Sequence, residues 1–412
     1  MRTKDQSITQ DGEDSLLESF SCQEDHEDHA RGRAASGIGM LSSDEDVEEE
    51  VSSRKSLLEG ISSEEYDGDD EDSGVICFGE ASSSTSTCSN ENKFVDKTKI
   101  APGAIFDTHC HLEFIRRRFG RDISLAECLE MDGENLGDKF GGAIVNFCQP
   151  SEWGTGPGQR AVSSLLRNSA KDARVGITIG CHPHFADQMT AARWAQFENL
   201  VSSPSDEFPW LRVVAVGECG LDYSRKNTVP VQIQKRVFIK QIKMAIKYNI
   251  PLVLHIREAE LDGLEVMKEA GVPENFPIHR HCFGGDLRTA RLWLEEFSEC
   301  KIGFTNVVNN YFTNANIVIK GVEAEKIILE TDAPYFVPAI AQPKYPNCSF
   351  PSQVVYVAAK VAELKNMTLP MVLEQNVINS QKIYKRFFEA RKEVKTIRVK
   401  LLKKITSAGE SV

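Results

Sequence analysis

Residues 106–114 read FDTHCHLEF. A short apolar run, AIFDTH, ends in a histidine, and a second histidine follows two positions later. Seven more runs of the same kind come after it: GAIVNFC, VGITIGC, VVAVGEC, PLVLHI, PIHRHCF, KIGFT and KIILETD. They are rich in Val, Ile and Phe and short enough for strands buried on both faces of a parallel sheet. Amphipathic segments such as VQIQKRVFIKQIKMAIKYN and LRTARLWLEEFSE lie between them and read as helices. Eight strand-then-helix units between residues 104 and 388 predict an α/β fold of the (β/α)8 TIM-barrel type. An open doubly wound sheet is the competing architecture, but no G-x-G-x-x-G follows the first run.

The rest of the 412-residue chain is different in composition. Residues 1–100 hold 9 Lys and Arg against 26 Asp and Glu, and the remainder holds 39 against 35. The overall charge of −13 therefore belongs to the N-terminal stretch, and the rest is mildly basic. Blocks such as LSSDEDVEEEVSSRKS and EASSSTSTCSNEN cannot bury enough apolar surface to offset their ordering entropy. The expected organisation is a disordered, acidic, Ser-rich tail over 1–98, a barrel over 99–390 and a basic C-terminal tail over 391–412. Serines beside the acidic runs are candidate phosphorylation sites, and protein partners of this tail are left open.

Eleven scattered cysteines with no C-x-x-C pair indicate neither a disulfide framework nor a zinc ribbon. Reduced thiols in an intracellular compartment are the expectation. The start, MRTKDQSITQDGED, has no apolar core of a secretory signal. No apolar run approaches the roughly 20 residues that span a bilayer, so no membrane partner is expected. The basic stretch KRFFEARKEVKTIRVKLLKK, 385–404, reads as a solvated final helix face, with a nucleic-acid-contacting or nuclear-import role as the alternative, so the nucleus is slightly favoured over the cytoplasm.

The chemistry is expected where the strands end. His109 with His111, Glu218, His255, His281 and Asp332 stand at the carboxyl ends of runs one, four, five, six and eight. In a barrel these ends meet on one rim, where active sites are built. Imidazole and carboxylate are ligands for zinc and manganese, and carboxylate also suits magnesium. Any one of them alone is more often structural. Six at five strand ends exceed the needs of a single open ion site and suit two ions about 4 Å apart. Glu218 can give an oxygen to each. Strand side chains alternate faces, so His109 and His111 point the same way and can hold one ion together. Such a pair of ions serves hydrolysis, most often of phosphate esters or amides.

FDTHCHLEF, IGCHPHFA, AVGECGLDY, QIQKRVFIKQIKMAIKYNIPLVLHIRE, HCFGG and ILETDAPYF resemble, in order, the motifs of the TatD family of metal-dependent deoxyribonucleases within the amidohydrolase-like barrels. The acidic extension also resembles that of a eukaryotic subgroup. The resemblance implies that His109, His111, Asp332 and Glu218 hold one divalent cation. It implies that Glu218, His255 and His281 hold the second. Magnesium or manganese is favoured, and zinc is the alternative the imidazoles would retain. Glu218 and Asp332 would be catalytic, with Asp332 the general base. His182 and His184, in the G-x-HPH loop, and Arg257 would contact substrate phosphate. Asp222 would orient a ligand, and His279 would support the site from below. PIHRHCF holds two histidines of the same parity, and the HCF match favours His281. Asn379 matches a family asparagine, with capping or packing as its expected use.

The implied activity is hydrolysis of phosphodiester bonds in DNA or RNA, exonucleolytic and 3′-5′, with weak sequence preference. Two alternatives stand beside it. One is an amidohydrolase-type or small phosphoester hydrolase on the same barrel. Many amidases bridge their ions with a carboxylated lysine, and Glu218 in that place counts against them. The other is a non-catalytic scaffold acting through its acidic tail, against which all six ligand positions are intact.

Overall fold

A computed structural model describes residues 95–154, 162–204, 206, 211–310, 313–339 and 345–392. Residues 1–94 of the acidic tail and 393–412 of the basic tail lie outside the described residues. All eight expected strands form: β1 (Ile105–Cys110), β2 (Phe140–Phe147), β3 (Val175–Ile179), β4 (Val213–Asp222), β5 (Leu252–Arg257), β6 (Ile278–Arg280), β7 (Cys300–Phe304) and β8 (Ile327–Leu329). They pair in parallel, each with the next in sequence. Nearly every strand residue is buried, because helices cover one face and barrel-interior side chains the other.

The ring closes between β1 and the end of β8. Thr108 Oγ1 donates to Leu329 O at 2.9 Å, and Asp332 N to His109 O at 2.9 Å. His111 N donates to Ala333 O at 2.8 Å. The result is a (β/α)8 barrel, and β1 is stitched to the very segment that carries Asp332.

The outer ring comprises α1 (Leu112–Phe119), α2 (Leu125–Asp132), α3 (Ser164–Ser169), α4 (Ala191–Val201), α5 (Val231–Tyr248), α6 (Glu260–Glu269), α7 (Leu287–Glu296), α8 (Val307–Asn310), α9 (Asn314–Gly321), α10 (Val354–Lys365) and α11 (Leu369–Ile383). None of the described helices is long and apolar enough to cross a membrane. α5 shows the logic. Gln234, Val237, Phe238, Gln241, Ile242 and Ala245 recur at helical spacing on its buried face, and Asn249 in the left-handed region ends it. The two glutamines on that face serve as anchors. Gln241 accepts from Cys181 N at 2.7 Å and donates to Cys181 O at 3.0 Å. Gln234 accepts from Asp222 N at 2.9 Å. One helix thereby fixes the loop that carries His182 and the end of β4 that carries Asp222.

The amino-terminal end of the barrel is plugged. Tyr384 and Phe387, just past α11, pack with Phe106, Ile144, Val214 and Val253. Asn379 Nδ2 donates to Ala324 O at 2.8 Å and Ile327 O at 2.6 Å, ordering the entry into β8 as a capping residue does. Residues 385–392 continue helically, so the segment read as a tail from 391 begins within this last turn. The other end of the barrel is left to the chemistry.

Candidate metal centre

All seven histidines of the described residues gather inside the barrel and at its carboxyl end. His109 belongs to β1, and His111 follows it as the residue that opens α1. Glu218 lies within β4 and His255 within β5. β6 and β8 are shorter than their apolar runs suggest, so His281 and Asp332 sit just beyond them. Asp332 adopts a positive φ of 54°. Its backbone is held there by the bond to His109 O described above.

Glu218 is the centre of the arrangement. Its Oε2 lies 3.5 Å from His109 Nε2 and 3.3 Å from His111 Nε2. Its Oε1 lies 2.8 Å from His255 Nδ1, 3.5 Å from His281 Nε2 and 3.8 Å from His182 Nε2. One carboxylate therefore turns one oxygen to each of two imidazole groups. Asp332 Oδ1 completes the first side at 3.6 Å from His109 Nε2 and 3.3 Å from His111 Nε2. Asp332 Oδ2 reaches toward His281 Nε2 at 3.7 Å. His281 also stacks on His109, with centroids 3.6 Å apart. The structure brings His182, beside Glu218 and His255, nearer to the second group than its motif alone suggests.

Two glycines make this crowding feasible. A Cβ on Gly220 would lie 1.8 Å from His255 O, and one on Gly217 would lie 2.5 Å from Val253 Cβ. Both residues have positive φ, 151° and 154°. β4 can approach β5 closely on either side of Glu218 only without those side chains.

The donor set fits divalent cations. Subsets of three groups, such as His109, His111 and Asp332 or His109, Glu218 and His281, bring their ligand atoms within 4.8 Å of one another. His109 Nε2 and His111 Nε2 face each other at 2.9 Å. Burial, reinforced by the charge of His281, holds His109 well below the usual imidazole range, so it is neutral and ready to ligate. Burial likewise lowers His182, with His255 adding to it. Burial by itself would raise Glu218, but His281, His109, His111 and His255 outweigh it and keep the carboxylate ionised. Asp332 is raised, chiefly by burial. His255 is desolvated too, yet Asp222 and Glu218 lift it to about 9. Two carboxylates whose proton affinities are pushed apart are the usual basis for dividing acid and base roles.

A surrounding layer aims these groups. Asp222 Oδ2 lies 2.9 Å from His184 Nε2 and 3.2 Å from His255 Nε2, so it orients one residue of the HPH loop and one of the central group. His184 N donates to His182 Nδ1 at 3.1 Å. Arg257 closes β5 two residues beyond His255 and is half-buried. The two histidines of PIHRHCF sit at different depths, and each belongs to a group whose ligand atoms lie within 4.8 Å of one another, His279 with His109 and Glu330 and His281 with His109 and Glu218. His281 reaches Glu218, whereas His279 Nδ1 lies 2.6 Å from Tyr384 Oη of the plug.

Sequence reasoning missed three acids. Glu330, fully buried, lies 2.8 Å from His279 Nε2 and 3.0 Å from His281 Nδ1, and accepts from Cys282 N at 2.6 Å. Gly303 clears its space, since a Cβ there would lie 2.5 Å from Glu330 Oε1. Asp107 accepts from Thr331 N at 2.9 Å and Thr331 Oγ1 at 2.6 Å, tying β1 to the segment after β8. Glu113, raised to about 7 by burial, accepts from Cys148 N at 3.1 Å and lies 4.0 Å from His111 Nδ1. A signal was available for the first two. A carboxylate inside an apolar strand run, as in IFDTH and IILETD, is costly unless it is partnered.

Comparison with known proteins places the chain in a family. A family model described as TatD related DNase matches residues 106–385. The human 3′-5′ RNA nuclease TATDN2 is 30% identical over 312 residues, 75% of this chain and 38% of that protein. The chain thus spans well under half the length of that relative. The 3′-5′ ssDNA/RNA exonuclease TatD of Erwinia amylovora is 29% identical over 210 residues, 50% of this chain and 77% of that protein. Among solved structures, the TatD homologue YJJV of Escherichia coli superposes with a TM-score of 0.55 at 20% identity, covering 68% of this chain and 98% of its own, and so shares the fold. With the family match running from β1 through the barrel to the plug at its base, the chain belongs to the TatD related DNase family.

Proposed function

We propose that this chain is a metal-dependent nuclease that hydrolyses phosphodiester bonds of single-stranded DNA or RNA from the 3′ end, using two divalent cations, with magnesium or manganese favoured. The observation that carries the reading is Glu218, which offers Oε2 to His109 and His111 and Oε1 to His255 and His281. The names of the human and Erwinia relatives support the substrate class and the direction. The basic balance of residues 101–412 supports a polyanionic substrate.

His109, His111, Asp332 and one oxygen of Glu218 would hold one cation, and the other oxygen with His255 and His281 the second, with His182 in reach of the same oxygen. Cations there would supply activation of water and neutralisation of phosphoryl charge. The chain's own side chains do the rest. Asp332, raised by burial and within 3.7 Å of His109, His111 and His281, would take the proton from the attacking water. His184, held by Asp222, and Arg257, at the end of β5, present N–H groups to the phosphate oxygens. The acid-rich N-terminal stretch repels a polyanion and would tune access by charge.

The test is digestion of end-labelled single-stranded DNA and RNA by the full chain with Mg, Mn or EDTA, beside Glu218→Ala. Stepwise 3′ shortening that needs the metal and is lost in the variant is expected. Hydrolysis of small phosphate esters without any attack on either strand would overturn the reading.

A further inference from the structure

We propose that Arg117 and Arg118, seated over the rings of Phe114 and Tyr335, form a platform on which the nucleotide flanking the scissile phosphate of a single strand stacks. The inference rests on the nuclease reading above and extends it to a part of the rim outside the metal centre.

α1 begins at the rim, with His111 as its N-cap. Phe114 lies flat on the His111 ring, centroids 4.6 Å apart and planes at 24°. Tyr335, three residues past Asp332, meets Phe114 edge-on at 6.1 Å. Each ring carries a guanidinium. Arg117 Cζ stands 5.0 Å from the Phe114 centroid, and Arg118 Cζ 5.4 Å from that of Tyr335. Both rings are half-buried and both arginines are exposed. An unbroken series of flat surfaces thus leads from His111 outward to solvent.

Neighbouring arginines pair with acids. Arg116 and Arg121 do so, with Glu152 and Glu127. Arg117 also approaches Glu152, at 3.6 Å. Arg118 is different. It donates to Asn347 O, and no carboxylate pairs with it among the described residues. Its plane is fixed while its charge stays uncompensated. A guanidinium seated on a ring presents its far face to a base, and its in-plane N–H groups remain available for phosphate. Aromatic and arginine surfaces of this kind hold single strands without reading their sequence.

The test is equilibrium binding of the full chain in EDTA, where no cleavage occurs. The probes are a fluorescein-labelled ten-residue oligothymidylate and an abasic strand of the same length. Arg117→Gln with Arg118→Gln should weaken oligothymidylate binding about 10-fold, the scale of one lost stacked base. It should also flatten the salt dependence by roughly 1.4 in slope, two phosphates at about 0.7 each. The preference for bases over the abasic strand should shrink with it. The double Lys variant should restore the salt slope but not that preference, because an ammonium has no plane. Tyr335→Leu, on a different segment, should reduce the preference and leave the slope. Unchanged affinity, slope and preference in all three variants would overturn the platform. A wild-type chain that neither binds nor cleaves single strands with Mg or Mn would overturn the nuclease reading itself. Wild-type cleavage with indifferent variants would remove the platform alone.

Discussion

Glu330→Ala should be among the most damaging single changes at this site, although Glu330 is in neither imidazole group around Glu218. Its carboxylate is fully buried and serves three partners: His279 Nε2 at 2.8 Å, His281 Nδ1 at 3.0 Å and Cys282 N at 2.6 Å. Burial disfavours its charge, but His281 and His279 outweigh that and keep it ionised. Removing it leaves the Cys282 N–H without its acceptor and takes a buried partner from His279 and His281. Breaking a buried ionic contact by deleting one partner costs about 3–5 kcal/mol. Losing the group that orients a ligand costs about 10–100-fold in metal affinity. The two effects are separable. Urea unfolding of ion-free protein reads the first, and a manganese titration followed by electron paramagnetic resonance reads the second. Glu330→Gln keeps the volume and can still accept from Cys282 N, so it should recover much of the stability but less of the affinity. If Glu330→Ala binds manganese as tightly as wild type at a temperature where both are folded, the proposed aiming of His281 by Glu330 is wrong.

Glu218→Ala removes the oxygen facing each imidazole group and should lower metal-dependent cleavage at least about 10²-fold, read in the strand-shortening assay. Metal uptake should release protons. His255 holds its proton up to about pH 9 in the ion-free chain, so apparent affinity should climb as pH rises toward that value. Calorimetry in buffers of different ionisation enthalpy would show it, and an affinity that is flat from pH 6.5 to 9 would count against it. The same proton contributes stability to the ion-free chain that is fully present below about pH 6.5 and is lost as pH passes through about 9. Gly220→Ala should destabilise by more than about 3 kcal/mol, since the added Cβ meets His255 O at 1.8 Å in a backbone with φ of 151°. A melting temperature within a few degrees of wild type would show that β4 and β5 can separate at little cost.

The strands, their number and their order were legible in the sequence. Each apolar run carries its own burial requirement, and parallel strands with intervening helices close into a barrel under general rules of connection. The residues that gather around Glu218 were legible as well, because a histidine or acid that ends an apolar run must face the carboxyl rim wherever its strand lies. What the sequence could not contain is who meets whom. That Glu218 divides its two oxygens between imidazoles on four other segments depends on β4 pressing against β5 across two glycines. His279 and His281 have the same parity, and only the depth of each within the barrel separates them. Glu330 and Asp107 looked like ordinary residues of their motifs until His279, His281 and Thr331 were placed against them. Tyr384 reaches His279 across 105 positions of chain because the C-terminal segment plugs the barrel. Periodicity assigns a side chain to a face of its own element, and local pattern carries that much. The partner on another element is chosen by closure of the ring and by packing at its two ends, which no local stretch of sequence encodes.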